Sequence, residues 1–243
     1  MRNLSVLLKG EVDRLRKYHI LAASLVVAFI WIGVMQLTEV DDVTGIFPLF
    51  LFLDATSMSM VLIGVSMFFE REENTLKAIF VSPVTKKEYI SAKIIGNILS
   101  NMQTLVLLYL YAWIFKEINI NILTLVLYVI LISIFHSLIG FLLAYHTKSF
   151  TELLTGMIMF MFALLIPVVL EEVGIITVEW LKNVLYILPT KASLLLLNST
   201  AEMSTVETWE IAYGVGYLIF SSALLLVFIR KGFEVFLAKE SGI

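Results

Sequence analysis

The chain has 243 residues, of which 60% are hydrophobic and only 15% charged, with a formal net charge of −3 and a mean hydropathy of +0.95. A water-soluble domain of this length cannot bury that much apolar surface, so the composition implies a chain that crosses a membrane several times. The absence of cysteine excludes a disulfide framework, a thiolate metal site and a thiol nucleophile.

Residues 1–19 carry Arg2, Lys9, Arg14, Arg16 and Lys17 beside an apolar stripe of Leu4, Leu7, Leu8, Val12 and Leu15. That is the pattern of a helix lying in the membrane interface. A cleaved leader would end in small residues, whereas Thr38 to Asp42 is polar and acidic. Six apolar blocks follow, at 20–37, 46–69, 94–115, 122–145, 153–170 and 211–229. As helices rising about 1.5 Å per residue, each reaches across roughly 30 Å of hydrocarbon. Helix is the spanning form expected, because barrel strands would be shorter and alternate apolar with polar.

Between the second and third blocks, Glu70 to Lys93 is dense in charge, while residues 46–69 contain a single charged side chain, Asp54. Leu76, Ile79, Phe80 and Pro83 recur at helical spacing, which predicts a short amphipathic helix. Pro83 disfavours helix at Ser82 and should end that helix there. Thr85 and Glu88 form a T-x-x-E capping box that opens a second helix running into the third block. The segment reads as helix, break, helix at the base of two spans.

Glu70-Arg71-Glu72, then Thr75-Leu76, then Ser82-Pro83-Val84, then a helix bearing Lys93, resembles the first cytoplasmic loop of type-2 ABC transporter permeases. Those are the membrane subunits of exporters for drugs, peptides, lipids and polysaccharides. One departure is Asn74, where that family usually has Gly; Asn tolerates left-handed backbone nearly as well. The resemblance implies that the loop is a coupling element seated in a cleft of an ATPase subunit. Leu76, Ile79 and Phe80 would fill the cleft, Glu70, Glu72 and Glu73 would pair with basic groups at its rim, and Thr75, Ser82 and Pro83 complete the coupling set. It also implies two permease copies, identical or different, with spans two and five facing each other across the dimer axis, and two ATPase copies holding ATP and Mg. No cofactor is expected in this chain, which has no G-x-x-x-x-G-K-[ST] phosphate loop. The expected location is a bacterial cell membrane, with lipid as a partner and nucleic acid not one.

Orientation follows from the basic residues. With both termini and residues 70–93 on the cytoplasmic side, inner segments hold 14 of the 17 Lys and Arg, and the outer segments only Lys116, Lys182 and Lys191. The outer stretch 171–210 has apolar runs, Val184–Leu188 and Leu194–Leu197, too short to span and separated by Pro189 and Lys191. Short re-entrant or surface-lying helices are predicted there, with Thr190 a candidate N-cap. Asn198-Ser199-Thr200 matches a glycosylation sequon but reads as a turn. The fold class is thus an all-α integral membrane protein: one permease domain over 1–243, an interfacial helix, six spans, a coupling helix after span two and short outer helices after span five.

Few polar residues lie inside the spans. Asp54 would cost roughly 2.5–3.5 kcal/mol at a bilayer centre, so it should face protein or water. Ser57, Met58 and Val61 share its face at offsets of 3, 4 and 7. Three readings stay open: a polar point on a transport path, a buried hydrogen bond that locks span packing, or a residue nearer the outer interface. His136 is expected to bond between helices, and His19 and His146 to sit at membrane edges. Gly64, Gly140, Gly156 and the Gly214-Val215-Gly216 pair suit close helix contacts, and Pro167 a kink in span five.

Three functions fit this pattern to different degrees. A transport subunit of an ATP-driven exporter accounts for the loop and the span layout, with an amphipathic or hydrophobic cargo such as an antimicrobial peptide, a drug or a lipid. An intramembrane enzyme would need clustered His, Asp, Glu or Ser, whereas the polar residues here are scattered. A non-transporting immunity or sensor protein on the same fold is the third.

Overall fold

The structure, a computed structural model, describes residues 4–241, apart from the side chains of Lys77, Phe80, Val81, Lys231 and residues 233–241. The described chain is helical throughout: α1 Leu4–Lys17, α2 Ile20–Leu37, α3 Phe47–Glu72, α4 Thr75–Val81, α5 Lys86–Phe115, α6 Ile122–His146, α7 Phe150–Phe160, a π-helical turn Met161–Leu165, α8 Ile166–Glu172, α9 Glu179–Leu185, α10 Pro189–Asn198 and α11 Thr208–Ser241. Six of these stretches are long and apolar enough to cross a membrane, with α7, the π turn and α8 together forming the fifth. Since six crossings return the chain to its starting side, α1, α4 and the C-terminal end of α11 share one face of the membrane, called here the loop face.

The bundle is built around α3, which packs most extensively on α6 and also against α5 and α10. Its composition makes this possible. Phe47, Phe52, Met60, Ile63 and Met67 fill the interior, while Ala55, Ser59, Gly64 and Ser66 let neighbours approach. Gly140 of α6 is a point of close approach, where a Cβ would stand 2.6 Å from the Met60 carbonyl oxygen and 3.2 Å from the Met60 Cα. Gly214 of α11 plays a similar part against Leu196 and the Ala192 carbonyl of α10, whereas a Cβ on Gly216 would meet nothing within 4 Å. Only Gly214 of that pair therefore supports the expected close contact.

The helix boundaries follow local chemistry. Thr85 and Glu88 form the expected capping box, so α5 begins at Lys86, before its apolar block. Asn74 takes the left-handed conformation, φ 55°, that the turn between α3 and α4 requires. Ser82 is extended, φ −85° and ψ 162°, and α4 ends at Val81 just before Pro83. In span five the kink takes the form of a π turn immediately before Pro167.

On the opposite face the connections are zipped together by backbone hydrogen bonds. Val43 donates to the Glu117 carbonyl, Glu117 to Asp41, Asn121 to Thr200 and Glu202 to Asn119, at 2.8–3.1 Å. The predicted non-crossing helices are present as α9 and α10. Nearly all of α10, Thr190 to Leu197, is buried against α3, α6 and α11. Thr190 is not an N-cap: Leu188 occupies that position, and the Thr190 hydroxyl instead donates to the Leu164 carbonyl in the π turn.

Candidate functional site

The charged loop and the polar residues of α5 meet at the loop face. Glu70, on the last turn of α3, has no exposed side-chain surface. Its carboxylate pairs with Lys93 Nζ at 2.8 Å and with the Arg14 guanidinium, and accepts a hydrogen bond of 2.7 Å from the Tyr89 hydroxyl. Glu11 completes the cluster, accepting from Arg14 at 2.6 Å and from Lys93 at 3.1 Å. Ser66 also accepts from the Lys93 ammonium. Two carboxylates face two cations, so the cluster is formally neutral. It ties α1, α3 and α5 into one unit. Burial works against the charged Arg14, but the Glu70 and Glu11 carboxylates outweigh it and hold the guanidinium above its ordinary pKa.

This corrects the expected positions of two coupling residues. Glu70 is not a rim carboxylate, because its partners are all within the chain. Leu76, expected in a partner's cleft, is 2% exposed and packs with Met67, Tyr89, Ile90 and Leu153 in the core beneath the loop. The helix is short, and its apolar stripe first satisfies the bundle it is joined to. Ile79 is half-buried against the same cluster, Thr75 is half-buried, and the half-buried Ser82 donates to the Ile79 carbonyl. Glu72, Glu73, Ala78 and Pro83 remain exposed. The side chain of Phe80 lies outside the described residues.

Glu73 has a partner in the same chain. Its carboxylate accepts from Lys17 Nζ at 2.9 and 3.0 Å, and hydrogen bonds from Lys17 and Tyr18 lower its pKa from the ordinary 4.5. Burial and then the Glu73 hydrogen bond push the Tyr18 hydroxyl up to about 12. Helix α1 is therefore more than a membrane-surface helix: its Glu11 and Leu15 are buried against the spans, and its basic residues Arg14 and Lys17 point to carboxylates at the end of α3. Arg71 adds a tie to the other side, donating to the Thr147 carbonyl at 2.7 Å, in the turn between α6 and α7.

Above the charged cluster, α5 presents a polar face to the core. Asn97 donates to Ser137 of α6 at 2.6 Å, and Asn101 donates to Ser59 of α3 and Ser133 of α6, both at 2.6 Å. One turn further, Thr104 bonds to Asp54. Asp54 is only 3% exposed and its Oδ1 has no hydrogen-bond partner among the described residues. Ser57, Met58 and Val61 are half-buried and do not join it in that contact. His136 sits between Phe135 and Phe160 with Nδ1 on the Ile132 carbonyl at 3.0 Å, a packing position within α6. Among the described residues, no group of three His, Asp or Glu could hold a metal ion.

Sequence reasoning had left Glu11, Arg14, Tyr89 and the Asn97–Asn101 pair without a role at this site. For the Asn97–Asn101 pair the signal is the row of polar residues at 93, 97, 100, 101 and 104, spaced three or four apart in an apolar span.

Comparison with known proteins covers the whole of this architecture. The profile of the Fluoroquinolones export permease protein family matches residues 2–241. The chain is 26% identical over 243 residues to proteins called Fluoroquinolones export permease protein in two strains of Mycobacterium tuberculosis, with 100% of each chain covered.

Proposed function

The chain belongs to the fluoroquinolones export permease protein family, and on that premise we propose that it is the membrane subunit of an ATP-driven drug exporter. The family match over nearly the full chain is the observation that carries the reading. Its cargo is an amphipathic drug of the fluoroquinolone kind, as the relatives' names suggest. Two copies pair, and two separate ATPase subunits, which hold ATP and Mg, dock at residues 70–93. The loop face is cytoplasmic, which the concentration of Lys and Arg on its segments supports.

In this reading the ATPase grips the loop at the exposed Glu72, Ala78 and Pro83, together with Phe80. Glu70 and Leu76 act behind it, joining the loop to α3 and α5. Closure of the ATPase pair moves α4, and the buried cluster carries that movement into the spans. Asp54 and the neighbouring Ser57, Met58 and Val61 line the side of α3 along which cargo passes.

Co-expression of the permease with its ATPase in an efflux-deficient bacterium should lower accumulation of a fluorescent fluoroquinolone. Ala78→Arg, which adds bulk and charge to an exposed position on α4, should abolish that effect and the drug-stimulated ATP hydrolysis while the permease stays folded. The coupling role is wrong if this variant exports at the normal rate with its ATPase bound. Unchanged drug accumulation with the wild-type pair would remove the drug-export reading itself.

A further inference from the structure

A second feature of the loop face lies on the back of the same turns of α5. A cavity of about 120 Å³ opens between α5 and α11, lined by Lys87, Ile90, Ser91, Ile94, Leu226 and Arg230. Its two cations come from different helices. Neither Lys87 nor Arg230 has an ion-pair partner among the described residues, whereas Arg14, Lys17, Lys93, Lys182 and Lys191 all pair with carboxylates. The acid next to Lys87 in sequence, Glu88, is buried and engaged with the backbone and hydroxyl of Thr85 at 3.1 and 2.9 Å. The cavity therefore carries two positive charges that no carboxylate among the described residues compensates.

Its depth in the membrane gives that charge a meaning. Arg230 directly follows the last apolar residue of the sixth block and Lys87 lies in the first turn of α5, so both belong to the loop-face ends of their spans. Ile90 and Ser91 lie about one turn deeper, Leu226 likewise on α11, and Ile94 about two turns deeper. A ligand that fits must be anionic at the rim and apolar below, with a polar linker between them. We infer that this cavity binds the headgroup of an anionic phospholipid: its phosphate between Lys87 and Arg230, its glycerol region at Ser91, and an acyl chain along Ile94 and Leu226. Basic pockets between spans are a common form of lipid recognition. The apolar floor favours a lipid over free phosphate, which would gain nothing from Ile94 and Leu226.

The test uses the purified full-length permease in neutral detergent, with lipid binding counted by native mass spectrometry. Each basic residue near an anionic surface contributes about fivefold in affinity, equivalent to ~1 kcal/mol. Dioleoyl phosphatidylglycerol should therefore bind about 25-fold more tightly than dioleoyl phosphatidylcholine. The double variant Lys87→Gln/Arg230→Gln should lose that preference without altering the melting temperature, since both side chains are exposed. A control, Lys9→Gln/Arg16→Gln, neutralises two exposed cations of α1 outside the cavity and should leave the preference intact. Equal loss in the control would overturn the site in favour of general surface charge. Displacement of the lipid by millimolar inorganic phosphate would make it a free oxyanion site. Displacement by a fluoroquinolone would make it a cargo site. Either result overturns the lipid assignment.

Discussion

Replacing Lys93 by Met tests whether the buried cluster holds the loop to the spans. In the wild type, Lys93 and Arg14 balance Glu70 and Glu11, and all but Arg14 are at most 2% exposed. Lys93→Met removes one positive charge and leaves two carboxylates to share Arg14. Breaking a buried pair in this way costs about 3–5 kcal/mol, because the remaining charge stays desolvated. Glu70→Gln should cost a similar amount, leaving two cations with Glu11 alone and weakening the acceptor for Tyr89. The double variant restores neutrality through Glu11 and Arg14, so its loss should fall short of the sum of the singles by about 1–3 kcal/mol. The exposed pair Lys17–Glu73 supplies the contrast, since solvent screens it and Lys17→Met should cost little. Equilibrium unfolding in mixed micelles, followed by circular dichroism, measures all four. Should Lys93→Met cost no more than Lys17→Met, or the double variant equal the sum of the singles, the cluster is not a coupled buried unit.

Gly140→Ala should destabilise by about 1–3 kcal/mol, because its Cβ would press on the Met60 backbone, and melting temperatures would register the loss. Gly216→Ala, which meets nothing, should be neutral or gain up to about 1 kcal/mol by the same measurement. Asp54→Asn keeps a partner for Thr104 and replaces a buried acid whose Oδ1 has no hydrogen-bond partner among the described residues, so the melting temperature should hold or rise; a clear fall would mean that the acid is compensated. Because the Glu73 carboxyl titrates below its ordinary range when paired with Lys17, the pair contributes above the unfolded pKa and is lost as pH falls through the folded one. The carboxyl carbon resonance of Glu73, followed by NMR across a pH titration of the unaltered chain, should therefore show a midpoint below the ordinary 4.5, and Lys17→Met should move that midpoint upward.

The fold was legible because its signals are local. Six apolar blocks, the Thr85–Glu88 box, Ser82-Pro83 and the short runs after Pro167 each act within one or two helical turns, and each has its structural counterpart. Asn74 is an instructive case: the turn demands left-handed backbone, and Asn meets that demand. The inner wiring of the site was much less legible. Glu70, Arg71, Glu72 and Glu73 look alike as a charge run, and only tertiary structure buries the first of them while exposing the third. The partners of Glu70 lie 56 residues earlier and 23 later, at Arg14 and Lys93, on helices whose relative rotation no periodicity specifies. Leu76 was misplaced for a related reason. An apolar stripe announces that something will cover it, but not whether the cover comes from the same chain.

The burial of Glu70 and Leu76 changes how movement of the loop would reach the spans. A helix of seven residues cannot be a rigid lever by itself. Leu76 seats α4 in the core, and Glu70 fastens the end of α3 to α5 and α1, so a push on α4 either moves three helix ends together or separates buried ion pairs. Separation costs about 3–5 kcal/mol per pair, which favours joint movement. At the opposite face, α3, α5 and α6 are held by the backbone bonds between their connections and by the buried α10. Span five is fastened more loosely. A smaller share of its side chains is buried than in α3, α5 or α6, and its π turn is held where Thr190 binds the Leu164 carbonyl. In the proposed exporter the α1–α3–α5 unit therefore moves as a block, and the deformation falls on span five at the π turn. Shortening that turn by deleting one residue of Met161–Leu165 should then uncouple drug-stimulated ATP hydrolysis from export while the ATPase remains bound.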